Sequence, residues 1–200
     1  MREKFIETIE KYQSDFGLNL SDEKISALFD YYKIVAAHND LLHLVAPCEP
    51  EIFAARHVLE SLTLLEFLPE NAKFADVGAG AGLPSIPCLI AREDLRGILI
   101  ESSQKKANFL RQTIAELKLS ARAEIINRQF EEIRKPAVEL VTSRALDKFT
   151  KKLPALIKWA GKTRSAFFGG NNLRESLQKL RLDFDAKLTP QSEQRFLFIV

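Results

Sequence analysis

Residues 74–87 read FADVGAGAGLPSIP. A short apolar run from Lys73 to Val77 ends in three glycines alternating with alanines, and two prolines follow at Pro84 and Pro87. Glycine tolerates positive φ and lets a ligand approach the backbone closely. Proline holds φ in one narrow range. A strand ending in that combination reads as feeding a tight turn and then a helix. In open α/β sheets such turns lie beyond the carboxyl ends of the strands, where ligands bind.

The chain after Pro69 keeps to this plan. KFADV (73–77), GILIE (97–101), AEIIN (123–127), VELVTS (138–143) and RSAFFGG (164–170) are strand-like. Between them fall a helix to about Ala91, the helix SQKKANFLRQTIAELKL, and a basic helix near 149–160. The end reads as a helix near 172–181 and two β-prone runs, DFDAKLT and QRFLFIV. Strand and helix in alternation imply a parallel sheet covered on both faces, and the terminal runs imply an antiparallel edge. Before Pro69, residues 3–14, 21–37 and 51–67 carry helical spacing, and 38–50 reads as a loop. Ser21 is a candidate N-cap, with Lys24 in place of the capping-box glutamate. The expected fold is α/β: a doubly wound, mostly parallel Rossmann-like sheet with an antiparallel edge strand. Residues 1–70 would form an N-terminal helical cap and 71–200 the ligand-binding domain, packed as one compact unit.

The spacing of the loop narrows the ligand. A dinucleotide fingerprint needs G-x-G-x-x-G. Here Gly78, Gly80 and Gly82 are evenly spaced, and Leu83 stands where the fingerprint's third glycine would be. An NAD site or a merely structural turn are the alternatives. Asp76 stands just before the loop, where a carboxylate could meet a cationic ligand group. Glu101 ends the second strand, 23 residues after Gly78, where an acid would accept hydrogen bonds from ribose hydroxyls. An acid before G-x-G-x-G with an acid at the next strand end resembles the S-adenosyl-L-methionine site of class I methyltransferases.

A closer resemblance follows from DVGAGAGLPSIP, LIESSQKKANFLRQTIAELKL and VTSRAL, with RHVLESL (56–62) and the final QRFLFIV. Together these are similar to the RsmG (GidB) family of bacterial methyltransferases, which methylate nitrogen 7 of one guanine in 16S ribosomal RNA. The resemblance implies cofactor contacts at Gly78, Leu83, Phe130, Glu131 and Arg144. The chain departs from the family at His38-Asn39-Asp40 and His43-Leu44-Val45, and at Phe168-Gly169 followed by Gly170-Asn171-Asn172. Bottom-up, Phe130 and Glu131 form an apolar and acidic pair that could hold an adenine ring and its amino group, against core packing for Phe130. Nitrogen 7 of guanine carries an in-plane lone pair and no proton, so it needs no general base; proximity and electrostatic fit remain. This agrees with a sequence offering no nucleophile–base pair, its three histidines (His38, His43, His57) all lying in the cap.

Arg144 is the candidate for a direct catalytic role, against a surface salt bridge. His57, between Arg56 and Ser61, reads as a structural brace between cap and loop. The net charge of +2 is uneven: 7 Lys and Arg against 13 Asp and Glu over 1–75, then 22 against 14 over 76–200. Arg144 to Arg164 holds seven basic residues and one acid, a pattern suited to phosphates. Lys148, Lys151, Lys152 and Arg195 are the candidate RNA contacts. The expected partner is 16S ribosomal RNA or the small ribosomal subunit, bound by a monomer without a metal. A methyltransferase on another acceptor, a non-catalytic RNA-binding or ribosome-assembly protein of the same fold, and an oxidoreductase are the competing readings.

The composition, 46% hydrophobic and 28% charged, is that of an ordinary globular chain. No apolar run approaches the roughly 20 residues of a membrane span. The first residues, MREKFIETIEKYQSDFG, lack an apolar h-region, so no secretory signal is expected. Cys48 and Cys88 stand in apolar surroundings without metal-ligand spacing and read as reduced core residues of a cytoplasmic protein.

Overall fold

The computed structural model describes residues 1–144 and 149–200. Seven strands form one sheet: β1 (Lys73–Val77), β2 (Arg96–Ile100), β3 (Ala123–Ile126), β4 (Leu140–Ser143), β5 (Arg164–Gly169), β6 (Asp185–Leu188) and β7 (Phe196–Ile199). Their order is β3-β2-β1-β4-β5-β7-β6. The first five are mutually parallel, and β7 runs antiparallel to β5 and to β6. The chain reverses its direction of travel across the sheet between β1 and β4, so the turn after β1 lies at the switch point.

The period of two along each strand divides the core. Phe74, Leu99, Leu140, Ala166, Phe168, Leu197 and Ile199 face one side of the sheet. Ala75, Val77, Ile98, Ile100, Val141, Phe167 and Phe198 face the other. The first side is covered by α1 (Arg2–Tyr12), α2 (Asp22–Leu42), a continuous helical segment α3 over 50–67, α4 (Ser85–Ala91) and α5 (Gln104–Glu116). The second is covered by α6 (Phe149–Ala160) and α7 (Asn171–Lys179). Asp76 shares the parity of Phe74, which turns its carboxylate toward the cap.

Two details differ from the sequence reading, the end of α2 and the burial of Cys48. Helix α2 continues to Leu42, through residues 38–42 expected to be loop. Asn39 explains this: its Oδ1 accepts from the Leu44 and Val45 amides and its Nδ2 donates to the Val45 carbonyl, so the turn leaving the helix is closed by a side chain. The two terminal runs form the antiparallel edge as expected, β7 pairing with β5 and β6 lying outermost. FLFI in β7 is apolar toward both faces and almost wholly buried, whereas DAKL in β6 is charged and mainly exposed, as an edge strand should be. Cys88 is buried and Cys48 only half-buried, both with free thiols. Ser21 caps α2 as expected, accepting from the Lys24 amide at 3.4 Å.

Helix α3 is irregular. It opens with Pro50–Ile52, widens to a π-helix over Phe53–Leu59, and tightens through Glu60–Leu62 to a 3-10 turn over Thr63–Phe67. The Glu60 amide donates to the Ala55 carbonyl, five residues back. Among the described residues no helix is long and apolar enough to cross a membrane, and no cluster of His, Cys, Asp and Glu could hold a metal ion.

Candidate functional site

The turn after β1 is held from two sides. Its start is anchored by the Gly78 and Ala79 amides, which donate to the Ile100 carbonyl at 2.9 and 3.2 Å. Its middle is anchored by Glu101, whose Oε2 accepts from the Gly80 amide at 2.9 Å and whose Oε1 accepts from the Ser103 amide at 2.8 Å. Gly78, Gly80 and Gly82 all adopt positive φ, of 75°, 54° and 93°. The first two line a cleft of about 520 Å³, together with Ala79, Ala81, Leu83, Lys106, His57, Arg144 and residues 43–47. Gly82 has a packing role instead: a Cβ there would lie 2.3 Å from Cδ1 of Ile86. The Ile86 amide donates to the Gly82 carbonyl at 2.7 Å, starting α4. Pro84 occupies the N-cap of that helix and Pro87 its first turn, so the two prolines set its direction.

Asp76 is completely buried. Ser85 Oγ donates to its Oδ2 at 2.6 Å, and among the described residues Oδ1 has no hydrogen-bond partner. Burial pushes its carboxyl up to about 7, against the Ser85 hydrogen bond and with help from the nearby Glu101 charge. Tyr31, fully buried on α2, donates from its hydroxyl to the Ala81 carbonyl at 2.9 Å. The cap therefore touches the loop directly.

Arg144 follows β4 with the parity of Leu140 and Thr142, which sends it to the cap side. Its Nη1 donates to the His57 carbonyl at 3.1 Å and to Ser61 Oγ at 2.7 Å. Its Nη2 donates to the Arg56 carbonyl at 2.5 Å and lies 3.3 Å from Glu60 Oε2. The π-helical turn makes this possible: in an α-helix the Glu60 amide would occupy the Arg56 carbonyl, but here it reaches Ala55. His57 is packed on Phe53 with ring centroids 5.2 Å apart. Burial first, then the Arg144, Arg56 and Arg195 charges, pull its imidazole down to about 3, so it is neutral near pH 7. The His57 carbonyl ties the cap to Arg144.

The remaining candidates do not themselves line the loop cleft. Phe130 is 2% exposed and meets Trp159 edge-on at 5.7 Å, so its ring is largely a core ring. Its residue and Glu131 also border a narrow crevice with Gly78, Ser102, Arg128 and Lys152. Lys152 is ion-paired to Glu131 at 3.5 Å, and Lys151 is exposed on α6. Arg195 pairs with Glu60 at 2.5 Å. Lys148 lies outside the described residues. Sequence reasoning passed over Lys106, Ala46 and Pro47, and it marked His43-Leu44-Val45 only as a departure from the family without placing it at the cleft. Lys106 stands in the first turn of α5, five residues beyond Glu101, and that proximity was its available signal. The position of the wall had no local signal, because only the fold brings it across from the glycines.

Residues 24–183 match the family GidB, rRNA small subunit methyltransferase G. The chain is 38% identical over 147 residues to Ribosomal RNA small subunit methyltransferase G of Sorangium cellulosum, covering 70% of this chain and 62% of that protein. With the protein of the same name from Nitrosospira multiformis it is 38% identical over 146 residues, covering 72% and 65%. Those matches thus span somewhat less than two thirds of the relatives' length. The namesake from Acinetobacter baylyi is 28% identical over 207 residues, covering 98% of this chain and 96% of that one. The fold is shared with a SAM dependent methyltransferase from Aquifex aeolicus, at a TM-score of 0.59, 16% identity, and 84% and 96% coverage. It is shared also with the B. subtilis tRNA methyltransferase TrmK, at 0.51, 20% identity, and 70% and 64% coverage. The chain belongs to the GidB family.

Proposed function

We propose that this protein transfers a methyl group from S-adenosyl-L-methionine to nitrogen 7 of a guanine in 16S ribosomal RNA. It does so as a cytoplasmic monomer acting on that RNA or on the small subunit. The observation that carries the reading is the cleft in which the glycine turn, the cap wall at 43–47 and Arg144 face a common space.

The residues fit the cofactor. Gly78 and Gly80 present backbone without side chains toward the cleft. Each oxygen of Glu101 accepts one amide and keeps a second lone pair for a ribose hydroxyl. The Oδ1 of Asp76, behind the loop and without a partner among the described residues, is a buried acceptor that could face a cationic group. Phe130 and Glu131 border the crevice on the adenine side. When bound, the cofactor would supply an electrophilic methyl on a sulfonium, which nitrogen 7 accepts without a general base. The protein's own contribution is then orientation and exclusion of water. Arg144 presents its guanidinium at the cleft wall. Lys106, which also lines the cleft, presents an ammonium to a phosphate or to a guanine oxygen. Lys151 and Arg195 extend the cationic surface away from the cleft.

Methyl transfer from labelled S-adenosyl-L-methionine to 30S subunits and to deproteinised 16S RNA tests this, with wild type and Gly78→Asp in parallel. A side chain at Gly78 would enter the cleft from a backbone with φ of 75°. The expected result is label on RNA as 7-methylguanosine, lost in the variant. Cofactor binding with no label on either RNA would move the protein to a different methyl acceptor.

A further inference from the structure

Glu60 is a carboxylate on α3 that is only 3% exposed. Its Oε1 accepts from Arg195 Nε at 2.5 Å and its Oε2 faces Arg144 Nη2 at 3.3 Å. One arginine follows β4 and the other precedes β7, so a single side chain ties the cap to two strand ends of the sheet. Arg144 spends its other donors on the Arg56 and His57 carbonyls and on Ser61 Oγ, and its guanidinium lies 5.5 Å from the centre of the Phe168 ring. Arg144 and His57 line the cleft, while Glu60 stands behind them.

We infer that Glu60 is a positioning residue: its carboxylate aims the Arg144 guanidinium at the cleft and offsets the Arg144–Arg195 charge, so that the cleft accepts a cationic ligand. This rests on the S-adenosyl-L-methionine reading, whose sulfonium is that cation. The groups around the pair leave the task to Glu60. Arg56 adds a further positive charge, His57 is neutral, and Tyr31 is a buried phenol. Asp76 has an oxygen without a partner among the described residues but holds its proton in part. A carboxylate between two guanidinium groups halves their net charge, from +2 to +1. Without it the cleft wall would repel a positive ligand while leaving a neutral one of the same shape nearly unaffected.

The two forms of the cofactor supply that comparison. S-adenosyl-L-methionine is positive at sulfur, and S-adenosyl-L-homocysteine is neutral there and lacks only the methyl. Dissociation constants for both would be measured by calorimetry on wild type, Glu60→Gln, Glu60→Asp and Arg195→Gln. Glu60→Gln keeps the shape and removes the charge, so the preference for the cation over the neutral form should fall by about tenfold. Glu60→Asp should restore most of it, and Arg195→Gln should move it the opposite way. A purely structural Glu60 would weaken both ligands alike and leave the ratio unmoved. An unchanged ratio in Glu60→Gln and Arg195→Gln overturns the inference. Should Glu60→Gln fail to fold, Arg195→Gln decides alone, because its side chain is 35% exposed and its removal leaves Glu60 paired to Arg144. Wild type binding neither ligand would instead overturn the cofactor reading.

Discussion

Gly82 and Gly17 both adopt positive φ, 93° and 69°, yet their surroundings differ. A Cβ at Gly82 would lie 2.3 and 2.8 Å from Ile86 side-chain atoms and 3.2 Å from Leu110; at Gly17 it would meet nothing within 4 Å. Gly17→Ala should therefore cost about 1 kcal/mol, the conformational share alone. Gly82→Ala should cost roughly 2–4 kcal/mol, because overpacking adds to it. Urea titration of both variants separates the two, and equal losses would contradict the packing argument. Asp76 and His57 make opposite pH signatures. Asp76 rises from 3.8 to about 7 through burial, so between those values the folded chain keeps a proton that the unfolded chain has lost. Its contribution is full below about pH 4 and lost as pH rises to about 7. His57 falls from 6.5 to about 3, so the unfolded chain takes the proton first. Its contribution is full above about pH 6.5 and lost as pH falls to about 3. Asp76→Asn should remove the first slope: from pH 4 to 7 wild type should lose roughly a few kcal/mol relative to the variant. Parallel stability curves would contradict the buried, protonated carboxyl. Both residues were legible as candidates, Asp76 from its place before the glycines, but neither protonation state was, since each is set by burial.

At the scale of elements, the cap helices shape the cleft through a few side chains. Asn39 closes the end of α2 and with it one wall of the cleft, using three hydrogen bonds at 2.9–3.0 Å. Asn39→Ala should cost about 1–3 kcal/mol, leaving two part-buried amides and a carbonyl without that partner. Hydrogen exchange should show faster exchange at Leu44 and Val45 while the β1 amides keep their protection. Unchanged exchange there would mean that the wall is held by other contacts. Sequence reading ended this helix five residues early because His-Asn-Asp is a helix-terminating composition. A side chain that caps from inside the last turns does not alter hydrophobic period. The π-helical widening of α3 left no periodic signal either, since its seven residues Phe53–Leu59 are too few to separate a period of 3.6 from a wider one. The strands fared better: each was found within about two residues, because apolar runs between charged helices have few other readings.

For the molecule as a whole, one apolar cluster runs from Phe5 and Ile9 of α1 through Tyr31 and Tyr32 to Phe74, Leu99, Leu197 and Ile199 of the sheet. The boundary near residue 70 is thus a boundary in sequence pattern and crosses a shared core. A fragment of residues 71–200 would expose the face of the sheet that α1 to α3 cover. It should fail to fold cooperatively, and the full chain should unfold in one transition seen alike by circular dichroism and tyrosine fluorescence. Two separated transitions would make the cap an independent domain. The basic stretch after β4 also changes meaning at this scale. Lys151 is exposed, but Lys152 is paired to Glu131, so linear charge density overstates the free cations there.

The order of strands and helices, the glycine turn at a strand end and the acid that closes the next strand were all written in local sequence. Each depends on backbone freedom, period or adjacency, which a chain carries wherever it is. The partners of Arg144, the carboxylate of Glu60 between two arginines, the hydroxyl of Tyr31 on Ala81 and the 43–47 wall were decided by tertiary structure alone. Their partners lie 84, 135, 50 and more than 30 residues apart in the chain. Over such separations no spacing rule acts, and only the packing of cap against sheet brings the charges together.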